Sequence, residues 1–62
     1  MFEWEIMFDL WHKKVEKRAY DVKFWFHCDS PTTAVNELLD NFKDGKQSVR
    51  RIDYIKKLRE VK

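Results

Sequence analysis

The chain has 62 residues, ten of them aromatic, with one Gly, one Pro, one Cys and a formal net charge of +2. A lone Cys28 excludes an intramolecular disulfide and fits a reducing compartment. No apolar run approaches the ~20 residues a bilayer span needs, and the acids of "MFEWEIMF" stand where a secretory signal carries bases. These features predict one cytoplasmic domain over 1–62, with no membrane partner. So short a chain must build its core from aromatic rings, each able to bury roughly 150–250 Å².

In residues 2–11, Phe2, Trp4, Ile6, Phe8 and Leu10 alternate with Glu3, Glu5, Met7 and Asp9. That period of two predicts a strand with one buried face. A second run, Tyr20, Val22, Phe24, Phe26 and Cys28, alternates with Asp21, Lys23, Trp25 and His27. Met7, Trp11, Val15, Ala19, Val22 and Phe26 also recur at helical spacing, but the aromatic and β-branched content favours strand. The intervening "HKKVEKR" has no Gly for a two-residue primed turn, so a hairpin with a longer loop is predicted. The preferred register sets Phe8 opposite Tyr20, Ile6 opposite Val22, Trp4 opposite Phe24 and Glu5 opposite Lys23. A shift by two would place Asp9 against Asp21, like charges directly opposite.

"DSPTTAVNELLDNFKDG" reads as a helix over about 31–43. Ser30 is the N-cap and Pro31 takes the first helical position. Ala34, Val35, Leu38, Leu39 and Phe42 form its apolar stripe, and Gly45 follows where a left-handed residue is often required. The final "KQSVRRIDYIKKLREVK" is ambiguous. Ile52, Tyr54 and Leu58 alternate as in a strand, whereas Val49, Ile52, Ile55, Leu58 and Val61 recur every three residues as in a helix. A hairpin needs a third strand or a packed helix to be stable, so a strand around 49–58 is assigned. The predicted fold is α+β: a three-stranded antiparallel β-β-α-β sheet with the helix on one face.

The helix then covers Phe2, Trp4, Ile6, Phe8, Leu10, Tyr20, Val22, Phe24 and Phe26. The open face keeps Met7, Trp11 and Trp25, with Ile55 as a further candidate. Glu3, Glu5, Asp9, Asp21, Lys23 and His27 form its rim. An apolar centre in a charged rim is how protein interfaces are built, and tryptophans dominate their energetics. Met7, Trp11, Trp25, Lys23 and Glu5 are therefore the candidate partner-binding residues.

Charge is unevenly spread. Residues 1–42 hold five bases and eight acids, and residues 43–62 hold eight bases and three acids. Arg50, Arg51, Lys56, Lys57 and Arg59 are the alternative site, binding nucleic acid through phosphate without sequence preference. Acids on the open face oppose base stacking there. There is no Gly-rich phosphate loop and no paired-Cys motif. His27 and Cys28, as strand neighbours, face opposite ways, which excludes a shared metal or a Cys–His nucleophile. No catalytic residue, metal or cofactor is predicted.

The order strand, strand, "SPTTAVNELLDNF", strand resembles very small phage-encoded proteins that inhibit or redirect host machinery. Phage inhibitors of bacterial RNA polymerase, with a β-β-α-β layout, are among them. The resemblance spans most of the chain as a pattern and implies a small effector of other proteins, assigning no site residue. The sequence reading is thus a non-enzymatic interaction module that binds a host protein, or a second copy of itself, through the open sheet face.

Overall fold

The computed structural model describes residues 1–62 as β1 (Phe2–His12), β2 (Lys17–Cys28), α1 (Pro31–Asp40) and β3 (Gln47–Glu60). The strands form one antiparallel sheet in the order β2-β1-β3. The β-β-α-β architecture expected from the sequence is therefore present. β1 lies in the centre, paired on both sides. Ile6 and Phe8 on it are completely buried.

Four residues, Lys13 to Glu16, make the β1–β2 turn, with Glu16 at φ 51°. The Lys13 N–H donates to the Lys46 carbonyl at 3.1 Å, tying this turn to the start of β3. β2 starts earlier than the predicted strand, which began at Tyr20. β3 extends past both ends of the predicted 49–58. The helix ends at Asp40 rather than 43, and residues 41–44 continue as turns into Gly45 at φ +78°. At the helix start, Ser30 Oγ accepts the Thr33 N–H at 3.2 Å, as its N-cap position implies.

The β1–β2 register differs from the predicted one. Phe8 faces Val22, Ile6 faces Phe24, Trp4 faces Phe26 and Glu5 faces Trp25. This is the register that charge repulsion between Asp9 and Asp21 argued against. A bulge alters the pairing at this point: Tyr20 and Asp21 together span the single residue Asp9, and Asp21 adopts φ 57°. The Asp9 carboxylate then accepts the Asp21 backbone N–H at 3.3 Å and lies 3.4 Å from Arg18 Nε. Asp9, expected on a solvated rim, is 3% exposed. Tyr20, expected in the core, is displaced by the same bulge and is 68% exposed, with the Arg18 guanidinium 5.7 Å from its ring centre.

β3 explains the ambiguity of its sequence. Its 14 residues pair with the 11 of β1 through three register breaks: opposite Asp9, at Asp53 and at Leu58. Each bulge adds a residue, so Val49, Ile52 and Ile55 meet Leu10, Phe8 and Ile6 at a spacing of three. The apparent helical period is that of a bulged strand. Ile55, a candidate for the open face, accordingly lies on the helix side.

The core joins Ile6, Phe8, Leu10 and Cys28 to Ala34 and Leu38 of the helix. Phe8 meets Phe24 and Phe42 edge-on, at centroid distances of 5.4 and 6.0 Å. The Trp4 indole N–H is satisfied by the Cys28 carbonyl at 3.1 Å. The helix packs mainly over β2 and β1, and Ile52 and Ile55 of β3 stay more than a third exposed.

Candidate functional site

The sheet face away from the helix is built in rows across β2, β1 and β3. The first is His27–Glu3–Arg59, the second Trp25–Glu5–Lys56, the third Lys23–Met7–Tyr54. Acids stand on the central strand, and the flanking strands supply their donors. Glu3 lies 2.9 Å from His27 Nε2 and accepts Arg59 Nε at 3.1 Å. Glu5 accepts the Trp25 indole N–H at 3.1 Å through one oxygen and the Tyr54 hydroxyl through the other. Trp25 is therefore 54% exposed and yet fixed by a specific bond.

These bonds set the titration of the face. Hydrogen bonds from His27 and Arg59 hold the Glu3 carboxyl below its usual 4.5. The bond from Tyr54, and after it that from Trp25, does the same for Glu5. Tyr54, donating to Glu5, is pushed above its usual 10.0. A lowered carboxyl stabilises the fold above pH 4.5, and this contribution is lost as pH falls through the folded value. A raised phenol stabilises it below pH 10.0, and that contribution is lost as pH rises through the folded value. The midpoint of thermal unfolding should thus fall on both the acid and the alkaline side. Glu5→Gln should flatten both limbs, because one bond serves both groups. An alkaline limb unchanged in that variant would show that the Tyr54–Glu5 bond does not hold in solution.

The predicted partner-binding residues are only partly brought together. Met7 is half-buried one row from Trp25. Lys23 sits opposite Met7, not opposite Glu5 as predicted. Trp11 is also half-buried on β1, opposite Arg18 and Ser48 and beyond the Asp9 bulge. Trp11 lies six positions along β1 from Glu5, about 20 Å of strand, so the two tryptophans do not form one cluster. Tyr54 was not singled out from sequence. Its place on this face depends on the bulge at Asp53, which carries no local signal.

The five candidate phosphate-binding bases are dispersed. Arg51 Nε is 2.7 Å from Asp53 and Arg59 is engaged by Glu3. Lys56 pairs in register with Glu5 on the open face. Lys57 pairs with Trp4 on the other, with its ammonium 4.6 Å from the Phe2 ring centre. Arg50 is exposed beside the Asp9 bulge.

One group of possible metal ligands exists. The Asp9, Asp21 and Asp53 carboxylates, one from each strand, lie within 4.8 Å of one another. The bulges bring them together, and Arg18 and Arg51 provide positive charge beside them. Cys28 is buried and its thiol donates to the Ser30 carbonyl at 3.3 Å, while His27 is exposed on the opposite side. The surface has no pocket. No protein-family model, curated protein or solved structure matches the chain.

Proposed function

We propose that the chain is a non-enzymatic protein-binding module whose contact surface is the Trp25–Met7 end of the open sheet face. One observation carries this reading: an exposed Trp25 ring is held by Glu5, which Tyr54 holds in turn. An anchor ordered before binding loses little freedom on association, and aromatic anchors of this kind dominate interface energetics. Lys23, His27, Lys56 and Arg59 surround it with a polar rim. A small domain presenting such a surface acts by occupying its target, as the resemblance to phage inhibitors of host machinery implies.

A photo-crosslinking amino acid at position 25, compared with one at exposed Leu39, tests this in an extract of the cells that contain the protein. A discrete protein adduct at 25 and none at 39 is expected. Equal labelling at both positions would overturn the reading. Nucleic acid should bind weakly and be lost by physiological salt, since two of the five bases are already engaged by acids. Sub-micromolar binding at that salt, abolished by Arg50→Gln with Lys56→Gln, would favour a nucleic-acid-binding protein instead.

A further inference from the structure

The turn sequence "HKKVEKR" carries charge that the Trp25 face does not use. Lys13, Lys14, Lys17 and Arg18 lie on it, all exposed. The fold brings a second basic segment to the same end of the sheet. The Lys13 N–H donates to the Lys46 carbonyl at 3.1 Å, and His12 pairs with Lys17 of β2 on one side and Gln47 of β3 on the other. Two strand spacings, roughly 10 Å, therefore span this end. Residues 12–18 and 43–47 together hold six bases and two acids, a net +4 in a chain of net +2, so the remaining residues carry −2. Two of the six bases are engaged: Lys43 lies 3.0 Å from Asp40 and Arg18 lies 3.4 Å from Asp9. The other four, Lys13, Lys14, Lys17 and Lys46, are exposed and have no ion-pair partner. Of the two acids, Asp44 accepts the Lys46 backbone N–H at 3.0 Å, and Glu16 sits in the turn itself.

We propose that this end of the sheet binds the phosphate backbone of nucleic acid through Lys13, Lys14, Lys17 and Lys46. The bases of β3 are spread over both faces and partly engaged by acids, whereas these four converge from two segments and are free. A free lysine displaces counterions from phosphate without first giving up an ion pair. Lysine is also a point charge without the planar fork of arginine, so the site responds to phosphate density and not to base sequence. A lipid surface is the other polyanion of this kind. Holding a protein there takes apolar side chains or a lipid anchor beside the bases, and Val15 is the single apolar side chain on the turn. The site is separate from Trp25, which pairs with Glu5 seven positions along β1 from His12, roughly 23 Å of strand. The inference is therefore independent of what the Trp25 face binds. Four phosphate contacts are weak alone, and they add to a second contact through effective concentration.

Fluorescence anisotropy of a labelled mixed-sequence DNA duplex, titrated with the full chain over a salt series, tests the proposal. Circular dichroism confirms that each variant folds. Wild type should bind at low salt and lose the duplex by physiological salt. Its slope of log K against log salt should be about −3.6, four phosphates at about 0.9 each. Lys13→Gln with Lys46→Gln takes one or more contacts from each segment and should reduce the slope to about −1.8. Lys14→Gln with Lys17→Gln should do the same. Arg50→Gln with Lys56→Gln removes the same net charge and should leave the slope unchanged. No binding at the lowest salt would overturn the proposal. So would a slope that both lysine pairs leave unchanged. An equal fall in all three double variants would also overturn it, because overall charge and not this site would then attract the duplex. Tighter binding to vesicles of anionic lipid than to the duplex, lost in the same lysine variants, would overturn nucleic acid as the ligand.

Discussion

Phe8→Ala is expected to unfold the domain. Phe8 is completely buried on the central strand, and the rings of Phe24 and Phe42 pack edge-on against it. Removing a buried phenyl loses its transfer free energy and leaves a cavity, costing roughly 3–5 kcal/mol. A domain of this size has a total stability of about 5 kcal/mol. The surroundings cannot collapse to fill the space, because Ile6 and Leu38 are themselves fully buried and already in contact with the rest of the core. Phe24 lies on an edge strand and is half-buried, so Phe24→Ala should cost less than Phe8→Ala. Trp25→Ala removes an exposed ring and one bond to Glu5, and should cost roughly 1 kcal/mol. Urea unfolding of the three variants, followed by circular dichroism, orders them. Equal losses for Phe8 and Trp25 would mean that both faces of the sheet are covered, which is incompatible with a single helix packed over β2 and β1.

What the sequence reveals here is local. Alternation placed β1 and most of β2, and Ser30-Pro31 placed the helix start, because each depends on residues within a few positions of one another. The buried Ile6, Phe8 and Leu10 fall within the expected helix-facing set, and Ala34 and Leu38 within the expected helix stripe, for the same reason, although the first set also held the exposed Tyr20. Bulges are not local in this sense. A bulge reverses which face the following residues occupy, so each break in β3 changed the neighbours of every residue beyond it. Tyr54 could therefore not be placed beside Glu5, nor Ile55 beside Ile6. Like-charge avoidance was sound as a rule of pairing, but it considered only side chains facing one another. The bulge gives the Asp9 carboxylate a backbone N–H, a partner that side-chain pairing does not count. The charged rows of the open face are legible only once these bulges are known.

The two aspartates at the β1–β2 bulge should respond to mutation with opposite signs. Asp9 is buried and accepts the Asp21 N–H, with Arg18 close to its second oxygen. Asp9→Ala leaves that N–H without its acceptor in a site closed to solvent, at a cost of roughly 1–3 kcal/mol. Asp9→Asn keeps an acceptor and removes repulsion from the carboxylates of Asp21 and Asp53, so it should cost much less than Asp9→Ala. Asp21 is exposed, holds a left-handed backbone, and uses only its N–H in this contact. Glycine adopts that backbone without steric cost and would also remove one of three neighbouring acids. After the entropy that glycine loses on folding, Asp21→Gly should gain roughly 0.5–1 kcal/mol. Its bulge should persist, because the N–H that fills the Asp9 site belongs to the backbone. Urea midpoints give the two signs, and cross-strand NOEs give the register. Continued contact of Ile6 with Phe24 in Asp21→Gly is expected. A loss of stability in Asp21→Gly comparable to that of Asp9→Ala would mean that the Asp21 side chain, and not its backbone, holds the bulge in place.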